Sequence, residues 1–285
     1  MLKTLIAVIA LLSAPTVVSA QTPLPPDEAL AQIYKNYDPA KHQAKWSCSP
    51  SQKSDDPAKR DGWTCDEGEV VRVSLLLISQ SQEGQEWKTY VVASASPGEN
   101  PRDFECHGCA PAIGVAVLVW QDDHWLLRNS NAAVGFYGSW GGGPDDVELV
   151  GIGPARHGVI LWTSGGGQGY HESEKHLIAP AQNTADEIWT LNDETDDSGA
   201  YDPTDKFAPH RRYYAEVAFK FIYVGNDDYY DILAMSRGTD GIGKANWTKQ
   251  YRFRDGQYRL FRTATYGERI VPASKPTQSR SAGQK

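Results

Sequence analysis

From residue 69 onward, apolar and polar positions alternate in short runs broken by polar turns. That period of two predicts a body of antiparallel strands. Val71, Val73, Leu75 and Leu77 fall on one face of a predicted strand, answered by residues 87–94 after a polar Gln82-Glu83-Gly84 turn. Residues 113–120, the turn Gln121-Asp122-Asp123 and residues 124–128 predict a hairpin. Val217, Phe219, Phe221 and Tyr223 alternate with Glu216, Ala218, Lys220 and Ile222, a half-buried strand, and residues 229–235 follow the next turn. The sharpest signal is residues 251–260, where Asp255-Gly256 fits a two-residue type I′ turn. Such a turn sets Phe253 opposite Tyr258, Tyr251 opposite Leu260 and Arg252 opposite Arg259. The facing arginines call for a neighbouring carboxylate, or else an anionic ligand.

Outside that body the pattern changes. Residues 27–37 (DEALAQIYKNY), with acidic residues in the first turn, predict a short helix. Residues 38–68 lack periodicity and read as a long loop carrying Cys48 and Cys65, and residues 267–285 read as a disordered tail. The expected fold is mainly β, in antiparallel sheets, as a sandwich or a propeller-like ring with one N-terminal helix. Residues 226–238 (NDDYYDILAMSRG) resemble the acidic-turn-then-strand unit of integrin-like propeller repeats. The glycine and aspartate ladder of that unit is incomplete here, and the resemblance implies antiparallel architecture alone.

The N-terminus sets the compartment. Met1-Leu2-Lys3, the apolar residues 4–12 and the small-residue ending Val18-Ser19-Ala20 have the order of a secretory signal peptide, with cleavage expected after Ala20. The apolar run is about half the ~20 residues that span a bilayer, and the later apolar runs, 112–120 and 217–224, have strand length. The expected organisation is a signal peptide at 1–20, a helix with a disulfide-tied loop at 21–68, a β-rich body at 69–266 and the tail. A soluble periplasmic or secreted protein follows. The formal net charge of −8 leaves no basic footprint for nucleic acid or for an anionic membrane surface.

Export makes disulfides the default for the four cysteines. The favoured pairing is Cys48–Cys65 with Cys106–Cys109. Cys106-His107-Gly108-Cys109 also has the spacing of a redox pair, but residues 113–119 read as a strand where a redox centre wants a helix N-terminus.

Four other stretches invite chemistry. The glycine-rich residues 137–143 (YGSWGGG) and 164–170 (SGGGQGY) match neither a hydrolase nucleophile elbow nor a phosphate-binding loop. Beside Trp140, Trp162, Gln168 and Tyr170, however, they predict a ligand surface. Residues 171–176 (HESEKH) place two histidines five apart, which suits neither a helical zinc site nor one face of a strand, and read as a solvated polar loop. In residues 193–205 (DETDDSGAYDPTD), alignment on Gly199 puts Glu194, Asp196, Ser198, Asp202 and Asp205 at oxygen-ligand positions of a Ca²⁺ loop. A plain solvated acidic loop competes with that reading, since the first ligand should be Asp and the last Glu.

No nucleophile, base and oxyanion donors assemble in the sequence. The leading expectation is therefore a non-catalytic envelope protein that binds another protein or cell-wall glycan, with no cofactor beyond the candidate Ca²⁺. The alternative is an envelope enzyme using Cys106/Cys109 or a glycan-cleaving carboxylate pair.

Overall fold

A computed structural model describes residues 22–46, 68–98, 109–181, 184–202, 204, 213–225, 228–240 and 246–265. Helix α1 (Pro26–Ile33) precedes β1 (Gln43–Lys45), β2 (Val70–Glu83), β3 (Glu86–Pro97), β4 (Ala112–Gln121) and β5 (His124–Phe136), which hydrogen-bond in that order as one sheet. The second sheet runs through β6 (Asp146–Gly153), β7 (Arg156–Gly167), β8 (Tyr170–Ala181), β9 (Thr184–Asp196), β10 (Tyr213–Ile222), β11 (Asp231–Asp240), β12 (Trp247–Arg254) and β13 (Gln257–Thr265). Each strand lies antiparallel to its predecessor within its sheet. The described strands thus form two meanders, a sandwich-like arrangement with a half-barrel sheet, rather than the four-stranded blades of a propeller. No helix among the described residues is long and apolar enough to cross a membrane.

Three apolar layers hold the sheets. Leu30 and Ile33 of α1 pack with Val71, Val73, Val91 and Ala93 on the outer face of the first sheet. On its inner face Tyr90, Val92, Ile113 and Val115 meet Val159, Leu161 and Ile178 of the second sheet. Being covered on both sides, β4 is buried over eight successive residues, which is why its sequence is a continuous apolar run and not an alternation. The second sheet then curls: Ile160, Leu177 and Trp189 face away from the first sheet and are covered by Val217, Ile232 and Tyr258, with β13 returning against β9.

Several sequence expectations need correction. The helix stops at Ile33 because Tyr34 takes extended dihedrals and buries its side chain, its hydroxyl lying where a Cβ at Gly114 would stand. Within the supposed long loop, β1 pairs with β2, and residues 47–67 of that loop lie outside the described residues, as do the signal peptide and the tail. A register shift between Leu75 and Leu77 moves Leu77 to the other face: Leu75 packs under α1, whereas Leu77 joins the layer between the sheets. Glu83, expected in a solvated turn, is buried and clasps the two sheets together. Lys88 Nζ stands 2.6 Å from its carboxylate, the Tyr90 hydroxyl donates to it, and the His157 backbone N–H of β7 donates at 3.1 Å.

The last hairpin has the expected register, with Phe253↔Tyr258, Tyr251↔Leu260 and Arg252↔Arg259, and Asp255 and Gly256 at φ 51° and 84°. Tyr258 is buried, but Leu260 is 54% exposed, so only the first pair is covered. The carboxylate that the facing arginines called for is Asp231, buried on β11, to which Arg252 donates through Nη2 at 3.1 Å.

Candidate functional site

The residues between β5 and β6 and the turn between β7 and β8 come together around a cleft of about 770 Å³. Both glycine-rich stretches of the sequence therefore rim one concavity, at the end of the space between the sheets. Gly138 and Ser139 form one lip; Ser164 to Gln168, with Tyr170, form the other. The lips are conformationally demanding. Trp140 and Gln168 hold φ of 53° and 54°, a left-handed backbone that costs a side-chain-bearing residue of order 1 kcal/mol. At Gly138 (φ 119°) a Cβ would collide with the Gly142 carbonyl oxygen, and at Gly169 (φ 88°) with the backbone of Gly199. The first lip is tied back by Gly141 N–H donating to the Cys109 carbonyl at 2.8 Å. Cys109 is itself disulfide-bonded; Cys48, Cys65 and Cys106, and with them both expected pairings, lie outside the described residues.

Period-two geometry decides what lines the walls. On β7, Val159 and Leu161 enter the layer between the sheets, and Thr163, next on that face, emerges into the cleft. On β8 the same face carries Ile178, His176, Glu174 and Glu172, the two glutamates lining the cleft. Two carboxylates and the hydroxyls of Ser139 and Thr163 thus face it beside the exposed ring of Tyr170, and no described lining residue is Lys or Arg.

Deep in this wall sits a polar network. His176, buried, places Nδ1 2.9 Å from Glu187 Oε2 and Nε2 3.3 Å from Thr163 Oγ1. Glu187 also accepts hydrogen bonds from the Tyr137 hydroxyl at 2.8 Å and from Thr190 Oγ1 at 2.6 Å. Burial alone would raise its pKa, but the hydrogen bonds from His176, Thr190 and Tyr137 outweigh burial and hold the carboxyl below its ordinary value. Glu174 Oε2 approaches His176 Nε2 more loosely, at 3.5 Å.

The four residues expected to form the ligand surface divide. Gln168 and Tyr170 line the cleft. Trp140, 58% exposed, stands on the first lip outside the lining. Trp162 falls on the opposite face of β7 from Thr163, its ring under Lys175 Nζ at 4.9 Å. The supposed solvated loop 171–176 is the first half of β8, with His171 and His176 on opposite faces.

The expected acidic Ca²⁺ loop is also redistributed. Glu194 and Asp196 belong to β9 and pair with Glu216 and Tyr214 of β10. Asp196 Oδ1 accepts the Ser198 backbone N–H, and Asp202 Oδ1 accepts both N–H and Oγ1–H of Thr204, which lowers the Asp202 pKa. Asp205 lies outside the described residues, and among the described ones no three His, Cys, Asp or Glu side chains gather as a metal site.

Glu172, Glu174, His176 and Glu187 went unassigned in the sequence. For the first three the signal available was their shared parity with Ile178 on β8, a strand leading out of a glycine-rich turn; Glu187 lies on β9 and carried none. A scan against protein-family models and searches of curated proteins and solved structures give no match to this chain.

Proposed function

We propose that the chain is an exported envelope protein that binds a hydroxyl-rich ligand, such as a cell-wall glycan, in the cleft between the two glycine-rich lips. The observation that carries the reading is the composition of the walls: hydroxyl, amide and carboxylate groups around an exposed tyrosine ring, with no described lining Lys or Arg. Carboxylates accept hydrogen bonds from sugar hydroxyls, the ring offers a stacking face, and a wall without cations disfavours phosphate. The secretory signal at residues 1–20 and the disulfide at Cys109 support an oxidising compartment. Thiol–disulfide chemistry at Cys106 and Cys109 loses support because Cys109 leads through Ala110 and Pro111 into β4 and not into a helix N-terminus.

The test is retention of the mature protein on insoluble peptidoglycan. The wild type is retained and Tyr170→Ala is not, while Leu260→Ala, a similarly exposed apolar residue remote from the cleft, behaves as wild type. Equal behaviour of all three proteins overturns the reading. Release of soluble fragments, abolished by Glu172→Gln or Glu174→Gln, would instead favour a carboxylate-based hydrolase.

A further inference from the structure

We propose that Thr163, His176 and Glu187 form a hydroxyl–imidazole–carboxylate relay that removes an O-acyl group from the ligand held in the cleft. Three strands deliver the parts. Thr163 on β7 faces the cleft, His176 on β8 places Nε2 3.3 Å from its hydroxyl, and Glu187 on β9 holds Nδ1 at 2.9 Å. A nucleophile within reach of a base, and a base oriented by a third group, is the geometry that activates a side-chain hydroxyl. Glu187 is itself fixed by Tyr137 and Thr190, so the imidazole it holds has little freedom to turn.

A second trio in the molecule shows what a merely structural version looks like. Ser81 Oγ lies 3.1 Å from His157 Nε2, and His157 Nδ1 lies 3.1 Å from Glu83. There the carboxylate is consumed by Lys88, Tyr90 and a backbone N–H between the two sheets, and none of these residues lines the large cleft. At the Thr163 relay, by contrast, the hydroxyl-bearing residue lines the cleft.

The step balances without a cofactor. Thr163 Oγ1 attacks the ester carbonyl carbon and its proton passes to His176 Nε2. The tetrahedral intermediate collapses, the bond from carbonyl carbon to the ligand's oxygen breaks, and the alcohol leaves with the proton from His176. Water, deprotonated by His176, then attacks acyl-Thr163, releasing the carboxylic acid and restoring the hydroxyl. Ser139 lines the facing lip and its hydroxyl donates to the Ser164 carbonyl at a long 3.4 Å, a contact it exchanges to donate to the oxyanion. Glu187 acts as a positioning residue. Glu174, 47% exposed, lies 3.5 Å from Nε2, farther than the Thr163 hydroxyl at 3.3 Å.

The inference rests on the cleft being the ligand site but not on the ligand being glycan, and its test uses p-nitrophenyl acetate with the full mature chain. Saturable hydrolysis by the wild type is expected, with kcat falling at least ~10²-fold in Thr163→Val and retained in Thr163→Ser. Glu187→Gln should lower kcat with little change in KM, and Leu260→Ala, outside the cleft, should leave it unchanged. Acid-quenched wild type should carry one acetyl group on Thr163, absent in Thr163→Val. Hydrolysis no faster than buffer, equal rates in wild type and Thr163→Val, or acetylation confined to lysines would each overturn the relay. Because peptidoglycan retention is measured separately, an inert relay in a protein that still binds glycan contradicts only this inference, and turnover without retention contradicts only the glycan reading.

Discussion

His176 Nδ1 lies 2.9 Å from Glu187 Oε2 across the β8–β9 ladder, behind Thr163 in the wall of a cleft whose lips come from two separate glycine-rich segments. The contact depends on a register shift. Ile178 pairs with Glu187 but Leu177 pairs with Trp189, and the extra residue, Ile188, lets Glu187 and Thr190 approach His176 from the same side.

That arrangement makes stability depend on acid. Glu187 titrates below its ordinary value in the folded protein, so the unfolded chain takes up the proton first as pH falls. Its contribution is present above about pH 4.3, the ordinary glutamate pKa, and is lost as pH drops through the lower folded value. A third of the side chain is in solvent, so screening limits the contribution. Glu187→Gln should cost about 1 kcal/mol in urea unfolding at pH 7. The gap to wild type should narrow as pH falls below about 4.3, and a gap that stays constant contradicts this account.

Glu83 is the more consequential carboxylate for the fold. Replacing it with Ala leaves Lys88, the Tyr90 hydroxyl and the His157 N–H without their shared acceptor between the sheets. Loss of one partner of a buried ion pair costs about 3–5 kcal/mol. Glu83→Ala should therefore lower the denaturation midpoint far more than Glu86→Ala, whose side chain is half exposed and touches Arg128 only at 3.8 Å. Equal effects would show that the clasp is dispensable.

At the alkaline end three tyrosines act together. Tyr34, Tyr90 and Tyr258 are each held well above the usual phenol range, by burial first and, for Tyr90, by the adjacent Glu83 as well. The unfolded chain ionises near pH 10 while these groups stay protonated in the fold, so stability is full below pH ~10 and falls above it. Part of the phenolate absorbance at 295 nm should appear only with the loss of β-sheet circular dichroism. Ionisation of every tyrosine near pH 10 with the sheet signal intact would contradict this.

Two glycines separate backbone preference from collision. Gly256 has φ +84° with open space around it, so Gly256→Ala should cost about 1–2 kcal/mol. Gly138 combines φ +119° with a backbone oxygen where Cβ would stand, so Gly138→Ala should cost more and should also reshape the lip carrying Ser139 and Trp140. Thermal unfolding of both variants ranks them, and equal shifts would mean that the lip yields freely.

Much of the strand body was readable from local pattern because its determinants are local. Asp255-Gly256 fixes a turn, the turn fixes a register, and the register places Phe253 on Tyr258. Leu77 was misplaced because a bulge between Leu75 and Leu77 leaves no mark on a period-two pattern. Glu83 looked like a turn residue because one of its partners, His157, is 74 positions away. In the cleft, Gln168 and Tyr170 were legible as neighbours of glycine. Trp162 was not, since adjacent strand residues face opposite ways and its sequence neighbours do not say which face is open. The His176–Glu187 pair joins two strands across a second bulge, and no single segment carries its signature.

The most direct test of the cleft is amide chemical-shift mapping of the mature protein titrated with soluble peptidoglycan fragments. The account predicts perturbations clustered at Gly138, Ser139, residues 163–168, Tyr170, Glu172 and Glu174, with β10 to β13 silent. Shifts centred on the exposed Leu260 and Phe261, or none at concentrations that saturate retention of the wild type, would contradict it.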